Sequence, residues 1–193
     1  MNELSLKAEN YAAENMNELM AKAIAQAYAD GYRDGYCERQ QEIPVDLRDN
    51  KTEYVDLGLS SGTLWSADYE RENGNIMYLP YGRADKYKIP TEEQWKELER
   101  ECRFEKTTYT NGNLEKVKCI GPNGNMIFFR STGRITSDSR SNFYDVYMWL
   151  KDEAETSSKK ALDIWNSSSN IRYEFSGYKL PIRLVRCVLH PKS

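Results

Sequence analysis

The sequence predicts an α+β fold of short antiparallel strands with one well-defined helix, preceded by a separate N-terminal α-helix. Three observations carry this. The segment "KIPTEEQWKELERECRF" contains a complete helix-start signal at Thr91. An Asn123-Gly124 turn stands between two β-prone runs. From Glu53 onward, short runs rich in Val, Ile, Leu, Tyr and Trp alternate with clusters of Ser, Asn, Asp and Gly.

Residues 2–29 predict the N-terminal helix, because Ala, Leu, Met, Glu and Lys dominate and neither Gly nor Pro interrupts them. Ala13, Met16, Met20, Ala23 and Ala27 recur at three- and four-residue steps and form a narrow seam. Such a seam suits homo-oligomerisation or docking to a larger assembly; packing on the chain's own domain is its other use. In the continuation "YADGYRDGYCERQQE", Gly31 and Gly35 each weaken a helix by about 1 kcal/mol relative to Ala, so a frayed extension ends near Glu42. Pro44 forces extended backbone on its neighbour, and the charged residues after it read as a linker. The expected organisation is therefore 1–43 as the N-terminal helix, 44–52 as linker and 53–193 as the main domain.

In that domain Tyr54, Val55, Leu57 and Leu59 suggest a first strand, closed by Ser60-Ser61-Gly62. Thr91 is placed to cap the main helix with Gln94 as capping-box partner, while Glu92 and Glu93 suit the positive end of its dipole. Trp95, Leu98 and Cys102 then recur at helical spacing and should face the core. "LEKVKCIGPNGNMIFFRSTG" reads as a hairpin. Further strands are expected at Val146–Leu150, Ala161–Trp165 and Leu184–Leu189.

Four sequence words add a resemblance. "YVDLGLSSGTLW", "IPTEEQWKELERECRF", "GPNGNMIFFRSTGRI" and "SGYKLPIRLVRCV" occur in the order found in the Fibrobacter succinogenes major paralogous domain family, common in gut Bacteroidales. Ser60 stands where that family usually has Pro, "YLPYGRADKY" shortens a helix-bearing stretch, and "YMWLKDE" replaces a Trp-Ser-Ser word. The resemblance implies a C-type-lectin-like domain whose first and last strands, "EYVDLGL" and "IRLVRCV", lie side by side. It also implies kinship with lectin-like proteins diversified by bacterial and phage retroelements, which carry variable ligand-binding residues in their C-terminal stretch.

Several function classes find no support. Lys and Arg total 27 against 30 Asp and Glu, and no basic patch is concentrated enough to make nucleic acid the main ligand. No apolar run approaches the roughly 18 residues of a membrane span. The start "MNELSLKAEN" lacks a secretory pattern, which predicts a cytoplasmic location, with a phage particle as the alternative. Cys37, Cys102, Cys119 and Cys187 form no CxxC pair and His190 stands near the end, so the spacing predicts no metal site and no cofactor. The fold's oxidase relatives would need a cysteine pair for copper or a His-rich metal site, and its calcium-binding lectins need Glu-Pro-Asn and Trp-Asn-Asp words; "GPNG" and "IWNSS" supply neither. No catalytic residues are expected.

Surface recognition remains. Tyr is abundant, at 14 against 5 Phe, and residues 135–178 mix Tyr and Trp with Ser and Asn, which pairs rigid amphipathic contact area with adaptable hydrogen bonding. The expected ligand-binding face comprises Tyr144, Tyr147, Trp149, Trp165, Asn166, Ser168, Asn170, Arg172, Tyr173 and Tyr178, directed at a protein or glycan. Trp149 and Trp165 also sit in expected strands, so a core role is open for both. The principal alternative is a structural subunit of a phage or mobile-element particle, assembled through the N-terminal helix.

Overall fold

The computed structural model describes Met20 and residues 52–137, 139–165 and 168–187. The chain divides into two compact units, Met1–Ile43 and Pro44–Ser193. In the first, Met20 has helical backbone. The rest of the expected 2–29 helix, including Ala13, Met16, Ala23 and Ala27, lies outside the described residues.

The second unit is built mostly from short antiparallel strands. It begins with β1 (Tyr54–Asp56), β2 (Thr63–Ser66), β3 (Arg71–Glu72), β4 (Asn75–Ile76) and β5 (Tyr78–Leu79), followed by helices α1 (Tyr81–Ala84) and α2 (Glu92–Glu101). Next come β6 (Arg103–Thr108), β7 (Leu114–Ile120), β8 (Met126–Arg130), β9 (Arg134–Thr136) and β10 (Ser139–Ser141). The last strands are β11 (Val146–Trp149), β12 (Ser158–Trp165), β13 (Ser168–Phe175), β14 (Leu180–Pro181) and β15 (Val185–Cys187). Three sheets of three strands have the orders β1-β2-β15, β6-β7-β8 and β11-β12-β13, and three two-stranded ladders accompany them.

The first and last strands are brought close, although not side by side. β2 lies between them, so that Val55 and Val185 both face Trp65. The reason is local: the amide of Gly62 bonds the carbonyl of Leu59 at 2.9 Å, with Gly62 at φ 70°, and the tight turn returns the chain straight along β1.

Helix α2 forms as its capping signal requires. The Thr91 hydroxyl accepts from the Gln94 amide at 3.2 Å, and the Gln94 side chain accepts from the Thr91 amide at 3.0 Å. Trp95 and Leu98 are buried as their spacing demands. Cys102 also packs against their core, partly buried, although its backbone is already extended, because the residues after it pair as β6 with β7 and place Phe104 opposite Cys119.

Two apolar cores result. One gathers Leu57, Trp65, Trp95, Leu98, Phe129, Val146, Met148, Leu162 and Ile164; the other gathers Leu79, Tyr81, Ile89, Tyr147, Trp149, Ala161, Leu180 and Ile182. Alternate residues of β11 and β12 go to different cores, so this sheet lies between them and is apolar on both faces.

The conspicuous sequence words join the elements. The side-chain amides of Asn123 and Asn125 donate to the carbonyl of Asp56 at 2.9 and 2.8 Å. The amide and hydroxyl of Ser61 donate to Glu97 at 2.8 and 2.7 Å, and those of Ser60 to Glu101 at 2.9 and 2.6 Å. Arg183, fully buried, donates to the carbonyls of Ser66, Phe128 and Ala67 at 3.0, 2.9 and 2.6 Å.

Candidate recognition surface

The double-sided burial of β11 and β12 decides which aromatics are available to a ligand. Trp149 is fully buried, its indole N–H donating to the carbonyl of Leu79 at 2.7 Å and its ring edge-on to Tyr81 at 5.4 Å. Tyr147 is buried beside it in the second core, with its hydroxyl accepting from Asn142 at 3.1 Å. These two residues hold the sheet and leave the expected ligand-facing set. Tyr178 is half-buried against the same core, its ring 5.6 Å from Phe175.

Tyr144, Trp165 and Tyr173 are exposed, as are Ser168, Asn170 and Arg172; Asn166 lies outside the described residues. Strand alternation separates Tyr173 from the others on β13: Ser168, Asn170 and Arg172 share one face, and Tyr173 points to the opposite one. Val146 pairs with Ile164, so Tyr144 just before that rung and Trp165 just after it lie at the same end of the sheet. There Tyr144 meets Tyr109, which the sequence reading missed, with ring centroids 6.0 Å apart.

The face shared by Arg172 carries a compact charged group. The Arg172 Nε donates to Asp163 at 2.8 Å, and Arg134 pairs with Glu174 while stacking 5.2 Å from the Tyr147 ring. Asp145, Asp163 and Glu174 are all buried, and burial pushes each carboxyl above its usual range despite the two guanidiniums. A carboxyl whose pKa is higher folded than unfolded binds its proton more tightly in the native state, so its contribution to stability improves as pH falls through that window. Acidification from about pH 7 towards the ordinary carboxylate range near 4 is therefore expected to stabilise the wild-type chain relative to Asp163→Asn. Urea melts of both across this range check the sign; a constant stability gap refutes it.

At the Tyr144 end lies a cleft of about 220 Å³ lined by Trp95, Glu99, Phe104, Lys106, Val117, Ile164 and Ser169. Two ladder rungs, Ile164 opposite Ser169 and Lys106 opposite Val117, face each other across it. Its floor is aromatic and aliphatic. Its polar groups are the Ser169 hydroxyl, which donates to the Glu99 carboxylate, and the Lys106 ammonium, whose pKa burial lowers. Drug-sized ligands occupy about 300 to 1,000 Å³, so this cleft suits a single side chain.

The chain matches no protein-family model, no curated protein and no solved structure. Among the described residues no group of three or more His, Cys, Asp or Glu is placed to hold a metal ion. The structure does bring Cys102 and Cys119 together, thiol to thiol, which their separation in sequence conceals; burial raises the pKa of both and keeps them protonated. No described helix is long and apolar enough to cross a membrane.

Proposed function

We propose that the chain is a non-enzymatic binding protein that takes a protein ligand at the Tyr144 end of the β11-β12-β13 sheet. The observation that carries this reading is an apolar cleft, sized for one side chain, at the sheet end that carries the exposed Tyr109–Tyr144 pair. Exposed aromatics around a desolvated pocket are the usual anchors of protein interfaces. The ligand inserts an apolar residue between Phe104 and Ile164, the Tyr109–Tyr144 pair flanks it, and Glu99 and Ser169 bond its backbone.

A C-type-lectin-like scaffold belongs to the same proposal. In its support, the four words behind the resemblance contact one another: the "GPNGN" loop bonds Asp56 of "YVDLG", and "SSG" bonds Glu97 and Glu101 of α2. A scaffold held by such contacts leaves exposed positions such as Tyr144, Trp165, Ser168, Asn170 and Tyr173 free to vary, as diversification by a retroelement requires.

Selection of a random phage-displayed peptide library on the full chain tests the binding reading. Selected peptides are expected to share one large apolar residue and to lose at least about ten-fold in affinity on Ser169→Trp, which fills the cleft, and on Tyr144→Ala. Because Tyr144 is 44% exposed, its truncation should leave the melting temperature nearly unchanged. Peptides that bind both variants as they bind wild type would overturn the assignment.

A further inference from the structure

β13 is an edge strand: in the order β11-β12-β13, no strand among the described residues pairs with its outer side. It is eight residues long, and its register with β12 runs unbroken from Ser158 opposite Phe175 to Trp165 opposite Ser168. Alternate residues of an antiparallel strand turn N–H and C=O away from the partner, so half of this backbone faces outward along a bulge-free edge. Folded proteins normally blunt such edges with Pro, Lys, a bulge or brevity. The other long edges here are managed: β6 carries Lys106 and a register shift at Thr107 and Thr108, and on β8 the Phe128 carbonyl is taken by Arg183. β13 has no Pro, no Lys and no bulge, its two charges, Arg172 and Glu174, are paired within the chain, and it exposes Tyr173 by 63% and Phe175 by 54%.

We propose that a second copy of this chain covers this edge, the two β13 strands pairing antiparallel about a two-fold axis at Tyr173. The choice of partner rests on charge. A two-fold axis keeps the faces of the joined sheet continuous, so it passes through a residue and opposes residues spaced equally on either side of it. An axis at Arg172 or at Glu174 would set like charges directly opposite each other. An axis at Ile171 opposes Arg172 to Asn170 and Tyr173 to Ser169, joining neither opposite charges nor apolar side chains across the seam. The axis at Tyr173 opposes Arg172 to Glu174 of the second copy twice over, stacks Tyr173 on its own mate, and sets Ile171 against the exposed ring of Phe175. Both ends already have a partner within the chain, Arg172 through its Nε on Asp163 and Glu174 on Arg134, and the 52% exposed Arg172 side chain adds the contact across the edge.

Disulfide trapping in the full-length chain tests the register. Opposed Cα atoms in an antiparallel pair lie about 4.5 to 5.5 Å apart, within disulfide range. Tyr173→Cys is therefore expected to give a reducible covalent dimer under mild oxidation, whereas wild type and Lys86→Cys, an exposed control outside the strand, stay monomeric on non-reducing gels. Tyr173→Lys should weaken the dimer seen by sedimentation at least about ten-fold, by setting two lysines opposite each other, with the melting temperature unchanged. Three results overturn the proposal: a wild-type chain that is monomeric at every concentration, a dimer that persists in Tyr173→Lys, or a Tyr173→Cys chain that crosslinks no faster than the Lys86 control. Persistence in Tyr173→Lys would point to another surface such as the N-terminal seam, and a monomeric wild type would leave the edge to an extended peptide.

Discussion

Arg183→Met is expected to cost about 3 to 5 kcal/mol, a large share of the stability of a single domain. The guanidinium is fully buried, and desolvation pulls its pKa down to about 10, so the native state already bears a penalty for holding this charge. Three carbonyls, a stacked Phe129 ring at 4.5 Å and the nearby Asp68 carboxylate offset that penalty. Methionine reproduces much of the volume and none of the donors. The carbonyls of Ser66, Ala67 and Phe128 would each lose a buried partner, at about 1 to 3 kcal/mol apiece when unsatisfied. Arg183→Lys should fall between the two, since one ammonium cannot span three acceptors held by different strands. Chemical denaturation followed by tryptophan fluorescence measures all three chains. A methionine variant as stable as wild type would show that the carbonyls find other partners and that Arg183 is not the tie between β2, β8 and the β15 segment.

Most of the scaffold was legible in the sequence, because its signals are local. The capping box at Thr91 and Gln94, the Asn123-Gly124 turn and the β-prone runs at 146–150 and 161–165 depend on neighbours a few residues away, and each forms where its residues stand. The candidate surface was harder to read. Polar residues crowd 168–175 and no expected strand covers them, yet this stretch is a long edge strand: Ile171 packs on the first core from one face, Glu174 is buried on the other, and most of the remaining residues have no core to face. Composition puts Tyr147 and Trp149 in the ligand-facing set, with a core role left open for Trp149 by its expected strand. The run "VYMW" is buried throughout, and continuous burial of that kind marks a strand with an apolar layer on each side. Cleft residues such as Phe104 and Lys106 carried no signal, because β6 starts directly after the helix and its partner rung lies on β7, visible only once the sheet has formed.

Two kinds of residue thus divide the domain. The sequence words that attract attention, "YVDLGLSSG", "GPNGN" and "PIRLVRC", tie strands, helix and turns together through Asp56, Glu97, Asn123 and Arg183. The residues free to meet a ligand or a second copy, Tyr144, Trp165, Tyr173 and Phe175, occupy segments with no comparable word. Such a separation lets surface residues change at small cost to folding, as a recognition module requires.

The tightest of these ties gives the second large effect. Gly121→Ala is expected to destabilise the domain by about 3 kcal/mol or more, lowering the melting temperature by roughly 6 to 12 °C. A Cβ at this position would sit 2.0 Å from the carbonyl oxygen of Leu57 and 2.7 Å from its Cβ, and Leu57 is fully buried in the first core. Neither side can yield cheaply. Moving the loop breaks the bonds from Asn123 and Asn125 to the Asp56 carbonyl, and moving Leu57 disturbs its contacts in the core. Gly124→Ala, three residues on, is the matched control. Its φ of 87° makes any side chain strained, yet no atom lies within 4 Å of the new Cβ, so its cost should stay near 1 kcal/mol. Calorimetry on the two variants separates close packing from backbone strain: equal melting temperatures would show that the loop shifts freely and that the contact of Gly121 with Leu57 does not hold β1 in place.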